Sequence, residues 1–87
     1  MATFPASLLT PERVLLEEEV QAVMMRTDFG DVAFLPGHTP LVGVVVPSTV
    51  RFAREDGSEE RFEVQSGLVQ VEPGGVVVLA PEAEPAS

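Results

Sequence analysis

The chain has 87 residues, enough for one domain and no second core, and its fourteen acids face five bases, all arginine. A formal net charge of −9 argues against a nucleic-acid partner, which calls for a basic stripe, and against adsorption to an anionic membrane surface. The acids keep a small apolar domain soluble, and a basic protein partner is the sharper alternative.

Fifteen valines, with eight prolines and seven glycines punctuating short apolar stretches, are the pattern of an all-β sandwich or barrel. Residues 4–10 and 13–17 read as short strands separated by a turn at Pro11. Over residues 19–27, Val20, Ala22 and Met24 alternate with Glu19, Gln21 and Val23. A turn is expected at Gly30-Asp31, a strand over 32–35 with Phe34 in the core, and a second turn at Pro36-Gly37. Phe29 is left open between core and rim. The run 41–46, ended by Pro47, predicts a strand buried on both faces or nearly so.

The clearest local signal is a hairpin around Asp56-Gly57, with Val50, Phe52, Phe62 and Val64 inward and Arg51, Glu63 and Gln65 outward. Two more strands follow, joined by the turn at Pro73-Gly74-Gly75. The fold class is therefore all-β: a small β-sandwich of about nine to ten short strands in two sheets. Residues 1–80 form the domain and 81–87, acidic and rich in proline and alanine, are expected to be a disordered tail.

Chemistry is scarce. No cysteine is present, which excludes disulfides and thiolate metal sites and fits a reducing compartment. The stretch 41–46 is too short to span a bilayer, and no basic leader precedes an apolar segment, so no signal peptide is expected. A zinc or cupin-like metal centre needs several convergent ligands, and His38 is the one histidine. His38 beside Thr39 makes a poor base–nucleophile pair, because neighbours on a turn seldom aim at one substrate; a small hydrolase using His38 and a carboxylate such as Asp31 is a remote third reading. The acidic pairs cluster at turns, and neither tryptophan nor tyrosine offers a sugar platform. No catalytic residue, cofactor or metal is expected. What stands out is the loop around Pro36 and Pro40, whose restricted backbone loses little entropy on docking. That favours an interaction module over an enzyme.

The segments "LLTPERVLLEEEVQAV", "GDVAFLPGHTPLVGVVVPSTVRF" and "ERFEVQSGLVQVEPGGVVVLAPEAE" together resemble the N-terminal β-sandwich domain of the epsilon subunit of the bacterial F-type ATP synthase. The resemblance runs over about residues 4–84, and its most specific piece is Leu35-Pro36-Gly37-His38-Thr39-Pro40-Leu41. It implies a non-catalytic rotor protein of the central stalk, peripheral on the cytoplasmic side of the membrane. Such a protein bridges the gamma subunit and the c-ring and couples ion-driven rotation to ATP synthesis. Carried over by motif, Thr10, His38, Thr39, Pro40 and Gly43 are gamma contacts, and Gly30, Asp31 and Val32 face the c-ring. Ala33 and Leu68 stand where the family has glycine, which is tolerable if both keep negative φ. Pro81 replaces the family's aspartate. The family continues into a pair of C-terminal helices; if the chain ends naturally at Ser87, neither ATP binding nor self-inhibition is expected of it, and if it is a piece of a longer protein, those functions are merely removed. In isolation a monomer or weak dimer is expected. The alternative is a free-standing sandwich that binds another protein or a small ligand, since fold alone does not fix function.

Overall fold

A strand with apolar residues at every second position has one face to hide, and a set of such strands hides them by folding over on itself. The computed structural model, which describes residues 2–37 and 39–86, consists of ten strands. They are β1 (Phe4–Leu9), β2 (Val14–Val20), β3 (Ala22–Thr27), β4 (Gly30–Phe34), β5 (Leu41–Val45), β6 (Ser48–Ala53), β7 (Glu59–Val64), β8 (Gly67–Glu72), β9 (Gly75–Leu79) and β10 (Ala83–Pro85). No helix long and apolar enough to cross a membrane occurs among the described residues.

The sandwich has two layers, as expected, but hydrogen bonds make them one folded sheet. One half runs β10-β7-β6-β3-β4 and the other β5-β8-β9-β1-β2. They join where Thr27 of β3 pairs with Val45 of β5. Two backbone bonds flank that corner: Asp28 N–H to Val44 O at 3.0 Å and Val46 N–H to Arg26 O at 3.1 Å. All pairings are antiparallel except β1 with β9. A second tie comes from Arg54, beyond β6, which reaches both Glu18 of β2 and Glu60 of β7.

Side chains from both halves meet in one core cluster that includes Leu8, Val20, Val23, Val45, Val50, Phe52, Val64, Val69 and Val78. Full burial of a valine, leucine or phenylalanine contributes about 1.5–3 kcal/mol each. Phe52 and Phe62 meet edge to face, centroids 6.2 Å apart and planes at 81°. All four residues expected to point inward from the hairpin are buried, as is Phe34. Gly57 at its tip has φ +93°. No non-glycine residue described has positive φ, so Ala33 and Leu68 meet the condition set for them.

Four expectations give way. The alternation over 19–27 breaks at Gln21, where the chain crosses between the halves and the Gln21 amide donates to Ala53 O at 2.7 Å. Crossing turns the strand over, so Val23, Met25 and Thr27 point inward and Met24 lies half-buried on the outer face. The first turn falls at Asp28-Phe29 and not at Gly30-Asp31, because Gly30, at φ +107°, already pairs with Thr27 as the first residue of β4. The run 41–46 is not buried on both faces: Val42 and Val44 are 67% and 46% exposed, since no described residue packs over the outer side of β5. Finally, the expected disordered tail contains β10, in which Ala83, Glu84 and Pro85 pair with Val64, Glu63 and Phe62 of β7. Proline is accommodated there because β10 is an edge strand.

Gly67 and Gly43 face different constraints. A Cβ on Gly67 would meet the carbonyl oxygen of Leu79 at 2.5 Å, whereas on Gly43 the nearest atom is the Val69 side chain at 3.4 Å. Gly67→Ala should therefore destabilise the domain by about 1–3 kcal/mol and Gly43→Ala by under about 1 kcal/mol, read from urea melts of both variants. At the hairpin tip, the Ser58 hydroxyl and amide donate to Asp56 Oδ1 at 2.6 and 2.9 Å. They hold the Asp56 carboxyl below the usual carboxylate range, with the hydroxyl bond foremost. A lowered carboxyl pKa adds stability above the unfolded value and loses it as pH falls through the folded one. Ser58→Ala should raise the Asp56 midpoint toward the ordinary range in a carboxyl NMR titration, and flatten the acid side of the stability–pH curve.

Candidate docking surface

The outer face of the β5-β8-β9-β1-β2 half follows from register alone. Val44 pairs with Leu68, Leu68 with Leu79, Leu79 with Leu9, and Leu9 with Val14. Their partners in alternation, Val45, Val69, Val78 and Leu8, fill the core. The five therefore form one apolar row across all five strands, about 19 Å long at 4.8 Å per strand. Val14, Val44, Leu68 and Leu79 are exposed and Leu9 is half-buried. Around Leu9, Leu68 and Leu79 lies an open apolar groove of about 680 Å³, with Thr10, Pro11 and Pro81 on its walls. A contiguous apolar patch of this kind marks an interaction site far more often than a scattering of single exposed leucines.

Thr10 stands at the end of this groove. Its hydroxyl donates to Arg13 O at 3.3 Å and accepts from the Arg13 amide at 3.4 Å, closing the β1–β2 turn. Thr39 and Pro40 are exposed just before β5, at the other side of the same half. Gly43 is buried with its missing side chain toward Val69, so it offers the face only backbone. His38 lies outside the described residues. Thr10 is thus the residue brought directly to the apolar groove, while Thr39 and Pro40 border the face at β5.

Gly30, Asp31 and Val32 sit together elsewhere, on β4 at an edge of the opposite half. Asp31 accepts from Arg26 Nε at 2.8 Å. That bond, reinforced by the guanidinium charge, lowers the Asp31 pKa and raises that of Arg26. The hairpin tip is tightly bonded. Buried Thr27 donates from Oγ1 to Gly30 O at 3.1 Å and accepts from the Phe29 amide at 3.1 Å. Asp28 accepts from the Val44 amide at 3.3 Å. The tip and the apolar row therefore share Val44. Among the described residues no group of three or more His, Cys, Asp or Glu side chains is placed to hold a metal.

Sequence reasoning missed the apolar row, although a signal existed. Once Leu8, Val69 and Val78 are assigned inward, Leu9, Leu68 and Leu79 must point outward as apolar residues at strand ends.

The family model for the "ATP synthase, Delta/Epsilon chain, beta-sandwich domain" matches residues 3–86. The ATP synthase epsilon chain of Desulforudis audaxviator is 45% identical over 83 residues, covering 95% of this chain and 60% of that protein. That of Bordetella petrii is 39% identical over 83 residues, covering 95% and 59%. This chain thus spans about three fifths of the length of these relatives. A chain in the Euglena gracilis mitochondrial ATP synthase structure (OSCP/F1/c-ring) superimposes with a TM-score of 0.90 at 26% identity, covering 98% of this chain and 54% of that one. A chain of the Tetrahymena thermophila mitochondrial ATP synthase central stalk and c-ring shares the fold, with a TM-score of 0.78 at 13% identity over 94% of this chain and 66% of its own length. With its motifs, its ten-stranded sandwich and this match over nearly its whole length, the chain belongs to the family of ATP synthase delta/epsilon-chain β-sandwich domains.

Proposed function

We propose that this chain serves as a non-catalytic element of the central stalk of an F-type ATP synthase, joining the gamma subunit to the c-ring and so helping to couple ion-driven rotation to ATP synthesis. It would be peripheral, on the cytoplasmic side of the membrane. The observation that carries the reading is the apolar row Val14-Leu9-Leu79-Leu68-Val44, an uncovered face in a domain of a family named for this complex. The gamma subunit is its proposed occupant. Thr10 seats at the end of the groove, and Thr39 and Pro40 engage beside β5; His38 is a further gamma contact by resemblance alone. Gly43, whose absent side chain faces Val69, contributes backbone alone. The second surface, Gly30, Asp31 and Val32 on β4, faces the c-ring.

The charge supports partners that are apolar at the centre and basic at the margin. Glu12, Glu17, Glu72 and Glu82 are exposed on or beside the strands that carry the row, and rim charges of opposite sign speed and orient association.

Two outcomes are expected. Leu68→Asp and Leu79→Asp put a charge on the row at exposed positions, so each should weaken binding to the gamma subunit of the same organism by about 2 kcal/mol or more while leaving the melting curve little changed. Size-exclusion co-elution and calorimetry read the result; unaltered binding, or no complex with the unsubstituted chain, favours a free-standing binding module. Because the chain has no cysteine, Asp31→Cys creates a unique thiol. In a rotor reconstituted from gamma, this chain and a c-ring with single loop cysteines, it should cross-link to the ring, whereas Glu59→Cys at the far hairpin should not.

A further inference from the structure

We propose that Phe29 is the anchor by which the β3–β4 hairpin grips its partner, entering an apolar recess bordered by cationic side chains on the ring's polar loops. The inference rests on the reading of β4 as the ring-facing surface and adds to it the residue that supplies the affinity and the chemistry of the recess. At 82% Phe29 is the most exposed of the large apolar side chains that remain uncovered, well above Val42 at 67%. The ring brings a large apolar area to the tip that the domain itself leaves in water.

The turn that carries it is already fixed. The Phe29 amide bonds Thr27 Oγ1, and the same hydroxyl donates to Gly30 O. Asp28 is bonded through both its amide and its carboxylate to the backbone of Val44. Arg26 and Asp31 bridge the hairpin behind the tip, and Gly30 at φ +107° allows the return of the chain. Docking such a tip sacrifices little backbone entropy, so the ring's burial appears as binding free energy. Buried aromatic anchors are the residues on which small interfaces concentrate their affinity. The flanking acids select the surroundings. With Asp31 paired to Arg26, Asp28 leaves one net negative charge beside Phe29, and positive charge at the edge of the recess complements it.

The test uses the assembled rotor of gamma, this chain and detergent-solubilised c-ring. Retention of the chain on the ring is measured for the unsubstituted protein, Phe29→Ala and Phe29→Leu. The expected result is an affinity for the ring at least about tenfold lower for Phe29→Ala, largely recovered by Phe29→Leu, with gamma binding and the melting curve unchanged. If Phe29→Ala holds the ring as tightly while the Asp31→Cys cross-link still forms, the hairpin faces the ring but Phe29 is idle, and the inference fails alone. If neither the cross-link nor ring binding is seen with the unsubstituted side chain at Phe29, the ring-facing reading fails and takes the inference with it. Binding of the chain to ring-free phosphatidylcholine–phosphatidylglycerol vesicles that Phe29→Ala abolishes would replace the ring with a lipid surface and overturn the proposal.

Discussion

The corner at Thr27 and Val45 is what turns two five-stranded halves into one body. Thr27 is the one buried polar residue among those described, and both functions of its hydroxyl are used within the turn that follows it. A buried hydroxyl left unpaired costs about 1–3 kcal/mol, so the tip conformation is the condition under which threonine can occupy this position. Everything beyond the corner depends on that choice: the direction of β4, the approach of β5 to β3, and the placement of Phe29. On the opposite side Arg54 draws Glu18 and Glu60 together, so the layers are tied by backbone at one side and by charge at the other.

With the core sealed, the two outer faces differ in kind. The β3-β6-β7 side carries Arg51, Thr49, Arg61 and Glu63 beside half-buried Met24, a surface suited to water. The other side carries an apolar row that the described residues leave uncovered. Domains of this size have little core to spare, so five apolar side chains on the outside are a considerable commitment to something beyond the fold. The acids around them maintain solubility and leave the row itself uncharged.

The sequence made the strands legible because alternation is a local property. The hairpin at Asp56-Gly57 and the turn at Pro73-Gly74 could be read from dipeptides alone. Legibility failed wherever a strand changed neighbours. Gln21 looks like one more polar position in an alternating run, yet it is where the chain passes between layers and reverses its phase. Valines 42, 44 and 45 read as equally buried, because a fully buried strand and a strand with a docking face have the same composition. The tail failed for a related reason: its pairing depends on the free edge of β7, which local composition cannot reveal. Of the site, the motif pointed to Thr10, Thr39, Pro40, Asp31 and their neighbours, while Leu68, Leu79 and Phe29 came into view only with register and exposure.

Val44 gives the domain a mechanical character. Its side chain belongs to the apolar row, and its backbone amide and carbonyl both bond to Asp28 at the hairpin tip. A sideways force on the tip is therefore delivered to β5 across short, nearly rigid links, and β5 is stitched to β8 along its whole length from Leu41↔Val71 to Val45↔Gly67. Strands pulled along their axis resist in shear, with several hydrogen bonds strained at once, whereas strands peeled from an end yield one bond at a time. Through Asp28, Val44 and the β5–β8 ladder, the hairpin tip and the apolar row are joined by one continuous set of backbone bonds.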